Sequence, residues 1–175
     1  LQEPELLKDL IQEIKKLNNC PPLFIKIAPD LDFKDIDKIV QLINDEDISG
    51  IIATNTSLDR FNLGERTIKQ TGLKLSQENG GLSGSPLREK ANRIIKHIHK
   101  LDKNIVLIGV GGINSPESAW ERICSGASLV QVYTGWIFKG PELIPNILKG
   151  IINQLNIHNL SNIKEAIGSE LIWVE

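Results

Sequence analysis

Four short apolar runs alternate with longer segments of helical periodicity, and this alternation leaves few architectures open to the chain. The runs are Leu23–Ala28, Gly50–Thr54, Ile105–Gly109 and Leu129–Tyr133. Three are rich in β-branched residues and each is followed by a polar or glycine-bearing turn, so they read as buried strands. Between them, Ile36, Ile39, Val40 and Ile43 form one helical stripe, and Leu87, Ala91, Ile94, Ile95 and Ile98 form another. Helices also fit Pro4–Leu17, Pro116–Cys124 and Pro141–Leu155. Pro116 and Pro141 suit first-turn positions, with Ser115 as N-cap ahead of the former. Strand-helix alternation predicts right-handed βαβ units and a parallel sheet. Two arrangements remain open: a small open sheet with helices on both faces, or half of an eight-stranded β/α barrel. That the chain opens on a helix is a first hint of a missing beginning.

At 175 residues and 41% hydrophobic side chains, the chain suffices for one core and is short for two ordinary domains. A net charge of −2, with lysines and arginines spread along the sequence, excludes the basic stripe that nucleic-acid binding requires. The apolar stretches are strand-sized, no signal-peptide pattern opens the chain, and the segment reads as soluble. Cys20 and Cys124 lack a C-x-x-C spacing and are read as buried free thiols. His97 and His99 lie two apart on a predicted helix and point to different faces, so no metal pair is expected.

The most informative stretch for chemistry is Leu107-Ile108-Gly109-Val110-Gly111-Gly112-Ile113-Asn114-Ser115-Pro116, with Gly126-Ala127 further on. Glycines at a strand end let backbone approach a ligand, and free N–H groups at the following helix start suit an anion such as phosphate. A dinucleotide-binding turn needs a further glycine where Asn114 stands and an acidic residue where Gln131 stands, which disfavours that reading. A glycine turn without a ligand stays open. Gly80-Gly81-Leu82-Ser83-Gly84 and Tyr133-Thr134-Gly135 add two more loop or strand ends suited to a phosphate-bearing cofactor, as final barrel loops often are. Lys26 interrupts an apolar run: either it is an edge-strand charge set against aggregation or it is a cation aimed into a site. Asn55 and Thr56, after the second run, are either turn residues or polar groups for a ligand.

Taken in order, Phe24-Ile25-Lys26-Ile27-Ala28-Pro29-Asp30-Leu31, Thr54-Asn55-Thr56, Gly80 to Gly84, Gly109 to Gly112 with Gly126-Ala127-Ser128, and Val130-Gln131-Val132-Tyr133-Thr134 resemble the motifs of dihydroorotate dehydrogenases. Glu165-Ala166-Ile167-Gly168 is similar to the family's C-terminal end. The resemblance runs over nearly the whole chain and implies the C-terminal half of a parallel (β/α)8 TIM barrel, with residues 1–175 as part of one FMN-binding domain. The Lys-Ile-Ala-Pro-Asp-Leu run is closer to the quinone-dependent, membrane-associated class 2 enzymes than to class 1.

The resemblance implies that Lys26, Thr54, Ser83 and Gly84 contact FMN, together with Gly111, Gly112, Tyr133 and Thr134. Asn55 and Thr56 would hydrogen-bond orotate. The implied reaction oxidises dihydroorotate to orotate in pyrimidine biosynthesis: a base takes the carbon-5 proton, carbon 6 delivers hydride to flavin, and a quinone reoxidises it. Lys26 would face the flavin edge that gains electron density.

The catalytic serine of the class 2 enzymes lies in a loop that ends shortly before the counterpart of Leu1-Gln2, so the base and an N-terminal membrane and quinone-tunnel element are expected upstream. The resemblance places the whole enzyme at a bacterial cell membrane or a mitochondrial inner membrane. Phe61–Asn79, a longer polar insertion, is expected either as part of a flexible loop over the site or as a surface excursion. Two other functions stay open: a class 1 enzyme using fumarate or NAD, and a non-catalytic phosphate-binding half-barrel.

Overall fold

The computed structural model describes residues 4–17, 19–60, 63 and 67–175. Leu1, Gln2 and Phe61 therefore lie outside the described residues. The order of elements is α1 (Pro4–Lys15), β1 (Phe24–Ile27), α2 (Phe33–Asp45), β2 (Gly50–Ala53), α3 (Arg88–Leu101), β3 (Val106–Val110), α4 (Pro116–Cys124), β4 (Leu129–Gln131), α5 (Thr134–Lys139) and α6 (Leu143–Ile157). All four predicted strands form; β1, β2 and β4 are shorter than their apolar runs, and β3 is as long as its run but begins one residue later.

The strands make one sheet in the order β1-β2-β3-β4, every pair parallel. Sequential order decides between the two architectures, because right-handed crossovers that never reverse direction keep their helices on the same side. The helices pack in a row, α1 on α2, α2 on α3, α3 on α4 and α4 on α6. This is half of a β/α barrel and not a doubly wound sheet.

Register sorts the strand side chains into two faces. Ile25, Ile51 and Leu107 share one rung, and Ile27, Ala53 and Gly109 the next. These point to the helices, where Ile27, Ile51, Ala53 and Leu107 are completely buried among Ile36, Ile39, Ile43, Ile95 and Ile98. The opposite face carries Phe24 and Val106 on one rung and Lys26, Ile52, Ile108 and Leu129 on another. Phe24, Val106 and Leu129 are exposed there. A smaller core of Trp120, Ile123, Cys124 and Ala166 lies where the C-terminal segment folds over α4.

Ser115 caps α4 as expected: its side chain accepts from Ser118 N–H, and Pro116 is the first helical residue. Pro141 is a correction, since α6 begins only at Leu143 with Glu142 at its N-cap. Cys20 is another, because Cys124 is buried but Cys20 is only half-buried. His97 stacks on Phe33 while His99 packs against Gly126 and Gly168, on different sides of α3. Within the insertion, Thr67 and Lys74 pair across a turn, and Arg60 donates to the carbonyls of Leu75 and Gly80. No helix among the described residues is long and apolar enough to cross a membrane.

Candidate functional site

The C-terminal ends of all four strands open onto one cavity of about 270 Å³, the end at which β/α barrels carry their sites. Lys26 reaches it from β1, Thr54, Asn55 and Thr56 from the turn after β2, Ser83 and Gly84 from the second glycine loop, Gly111 and Gly112 from the turn after β3, and Tyr133 and Thr134 from beyond β4. The ten residues singled out from the sequence thus line a single space, although they span more than a hundred positions. A wider groove of about 930 Å³ lies outside, between α3, α4 and the C-terminal segment. Several of its charged side chains pair with one another, Arg88 with Glu117 and Glu121, and Lys96 with Glu170, so it offers a ligand less than the strand ends do.

Backbone pairing carries the site forward from the sheet. Thr54 N–H donates to Val110 O at 2.9 Å and Asn55 N–H to Ile27 O at 2.7 Å, which extends the ladder one step past β2. Ser57 and Leu82 exchange backbone hydrogen bonds of 3.0 and 2.7 Å. That bridge lays the Gly80–Gly84 loop over Thr56, and a Cβ on Gly81 would sit 2.0 Å from Thr56 Oγ1. Thr134 Oγ1 donates to Ser83 Oγ at 2.9 Å and closes the ring of loops.

Gly111 and Gly112 have φ of 103° and 74°, left-handed values that a side chain resists. The glycines nevertheless make room chiefly for protein. A Cβ on Gly109 would meet Arg122 Cγ at 2.4 Å, and one on Gly112 would meet the Arg88 backbone at 2.5 Å. Gly109, read from sequence with the ligand-approach glycines, therefore admits the stem of a buried arginine.

Thr54 Oγ1 is buried and has no hydrogen-bond partner among the described residues. An orphaned hydroxyl in a cavity wall is uncommon, because buried polar groups are nearly always paired. Lys26 is exposed on the concave face of β1, an edge strand of this sheet, and its side chain also lines the cavity.

Gly135, named from the sequence with the Tyr133-Thr134 strand end, also lines the cavity, and five further lining residues were given no site role: Leu87, Val110, Ile113, Gln131 and Val132. Gln131 had a legible signal. Like Lys26 it is a polar residue in an apolar strand, with the parity of the concave face. Gly135 packs close to the glycine turn, where a Cβ would lie 2.2 Å from Ile113 O. Among the described residues no group of three or more His, Cys, Asp or Glu side chains could hold a metal.

The fold and the cavity together define a β/α-barrel segment whose strand ends gather backbone N–H groups, hydroxyls, amides and one lysine. Residues 1–155 match the family model described as dihydroorotate dehydrogenase, and the chain belongs to that family. It is 51% identical over 174 residues to the dihydroorotate dehydrogenase (quinone) of Prochlorococcus marinus (strain MIT 9313), covering 99% of this chain and 44% of the relative. The protein of the same name from Nostoc sp. (strain PCC 7120 / SAG 25.82 / UTEX 2576) is 45% identical, over 97% of this chain and 46% of the relative. The crystal structure of the Eimeria tenella enzyme with ferulenol superposes with a TM-score of 0.82 at 29% identity, covering 97% of this chain and 49% of that one. The chain thus spans about half the length of the relatives it matches.

Proposed function

We propose that this chain contributes the C-terminal part of a single FMN-binding barrel domain in a quinone-dependent dihydroorotate dehydrogenase, which oxidises dihydroorotate to orotate in pyrimidine biosynthesis. The observation that carries the proposal is the convergence of Lys26, Thr54, Asn55, Thr56, Ser83, Gly84, Gly111, Gly112, Tyr133 and Thr134 on one cavity at the strand ends. The unpartnered Thr54 hydroxyl and the left-handed glycine turn suit a flavin mononucleotide. The quinone named for the relatives favours a quinone acceptor over fumarate or NAD.

In this reading the backbone N–H groups of the Gly84 and Gly111-Gly112 turns, with the Thr134 hydroxyl, hold the phosphate. Thr54 Oγ1 donates to the cofactor. Asn55 and Thr56 orient the substrate ring and carboxylate, fixing carbon 6 against the cofactor. FMN, when bound, supplies hydride acceptance. Lys26 offsets the negative charge that grows as the hydride arrives, and a fixed cation there favours the transition state over the ground state. The base that takes the carbon-5 proton is assigned to the part of the relatives that this chain does not span. Membrane association, at a bacterial cell membrane or a mitochondrial inner membrane, is assigned to that part as well.

The test uses the full-length protein. Purified material should carry about one flavin per chain, released as FMN, and should reduce a soluble quinone only when dihydroorotate is added. Flavin-free protein that does not bind added FMN would defeat the proposal.

A further inference from the structure

Arg122 lies on α4 with a relative exposure of 0%, although a guanidinium is among the groups most costly to bury. Among the described residues it has no carboxylate hydrogen-bonded to it. Nη1 donates to Val110 O at 3.0 Å, Nη2 to Gly111 O at 2.7 Å and to Arg88 O at 3.3 Å, and Nε to Asn92 Oδ1 at 2.5 Å. Asn92 cannot flip without losing a partner, since its Nδ2 donates to Glu121 Oε2 at 3.0 Å, the oxygen that also accepts from Arg88 Nε at 2.8 Å. Burial pulls the guanidinium down to about 10, with the Glu121 charge acting against that pull. It is still a cation at neutral pH.

The two carbonyls that Arg122 holds belong to consecutive peptides of the glycine turn. In a trans peptide the C=O and N–H point in opposite directions. Fixing Val110 O and Gly111 O toward the buried guanidinium therefore turns the N–H groups of Gly111 and Gly112 the other way, and both glycines line the cavity. Val110 O is also held by Thr54 N–H in the sheet ladder, so the separate contribution of the arginine falls on the Gly111–Gly112 peptide, which at φ of 103° and 74° would otherwise sample many orientations. The absence of a side chain at Gly109 admits the arginine stem beneath β3. A methionine or leucine would fill that space without the penalty of a buried charge.

We propose that Arg122 is a positioning residue that presets the Gly111 and Gly112 N–H groups as a phosphate clamp, with Asn92 and Glu121 holding the guanidinium in place. The proposal rests on the reading of the cavity as an FMN site. Arg122 itself is not among the residues that line the cavity. Its charge, held behind the two N–H groups, also has the sign an anion requires.

The experiment compares FMN with riboflavin, which has the same ring and no phosphate, by fluorescence titration of full-length apoprotein. Arg122→Met should weaken FMN binding by about tenfold or more, the equivalent of one or two lost hydrogen bonds, while riboflavin affinity stays within about twofold. Arg122→Lys, which supplies donors without the fork, should fall between. Where Arg122→Met does not fold, Asn92→Ala, which removes the Nε acceptor and the bond to Glu121 but keeps the guanidinium, should show the same phosphate-selective loss on a smaller scale. Equal losses for both flavins, or no loss for either, would overturn the role given to Arg122. Failure of the unsubstituted protein to bind FMN would instead overturn the reading of the cavity, and this proposal with it.

Discussion

Ser57 donates its hydroxyl to Asp30 Oδ1 at 2.6 Å, tying the turn after β2 to the turn after β1. The same carboxylate accepts from Leu58 N–H at 2.7 Å and from Lys90 Nζ at 2.7 Å. Asp30 thus holds the backbone two residues beyond Thr56 and links it to α3. Sequence placed Asp30 in a motif without giving it a task, because three partners from 27 to 60 positions away cannot be seen locally.

Asp30→Asn should therefore loosen the substrate turn. Burial works against the charged form of Asp30, but the hydrogen bonds from Lys90, Ser57 and Leu58 outweigh it and hold the carboxyl below its ordinary range. A carboxyl whose folded pKa is depressed contributes stability above its unfolded value, near about 3.9, and loses it as pH falls through the folded value. Unfolding midpoints of the Asn variant should lie below the unsubstituted protein at pH 7, by on the order of 1 kcal/mol, and converge with it as pH drops below about 4. A gap that stays constant down to pH 3 would remove the carboxylate from this account.

Thr54→Val tests the orphaned hydroxyl. Removing a buried unsatisfied group of similar shape should leave the apoprotein equally stable or stabler. If Thr54 Oγ1 donates to the cofactor, the same change should weaken FMN binding by roughly fivefold, about 1 kcal/mol. Melting with and without FMN reads both effects, and a valine variant with an undiminished FMN-induced rise would count against the contact.

Lys26→Ala separates charge from packing. Lys26 is exposed and hydrogen-bonds no other group among the described residues, so the stability change should stay within about 0.5 kcal/mol. Flavin reduction by dihydroorotate should slow on the order of a hundredfold. Stopped-flow reduction at an unchanged rate, in a variant that retains FMN, would reduce Lys26 to an edge-strand charge.

The strands and the site loops were legible because they rest on local signals: β-branched runs, helical stripes, and glycines where backbone turns left-handed. What stayed hidden depends on distance or brevity. The last run was expected through Tyr133, but β4 ends at Gln131 and α5 occupies Thr134–Lys139; six residues are too few to show a 3.6-residue period. Pro141 looked like a helix start because proline suits N1, yet α6 begins two residues later at Leu143. Cys20 was expected to be buried on the average behaviour of free thiols, and its place between β1 and α1 leaves it half-buried. Arg122 is one charge in a nine-residue helix and drew no reading from the sequence, and only the fold shows why Gly109 lacks a side chain.

The last prediction concerns the concave face of the sheet. In a closed β/α barrel this face fills with layers of side chains contributed by strands all round the ring. Here Phe24 and Val106 are each 37% exposed and Leu129 is 56% exposed, and among the described residues β1 and β4 each have one unpaired edge in the sheet. Apolar rungs beside free backbone edges favour pairing with another chain. Residues 1–175 expressed alone should therefore associate as concentration rises, and sedimentation should show the average mass climbing above that of one chain. Val106→Thr with Leu129→Thr keeps β propensity and lowers apolar area, so it should shift the balance toward monomer. The segment should also fail to turn over dihydroorotate with added FMN and a reducible dye, because the assigned base lies in the portion of the relatives it does not span. A well-folded monomer with robust turnover would contradict both the exposed interior and the placement of the base.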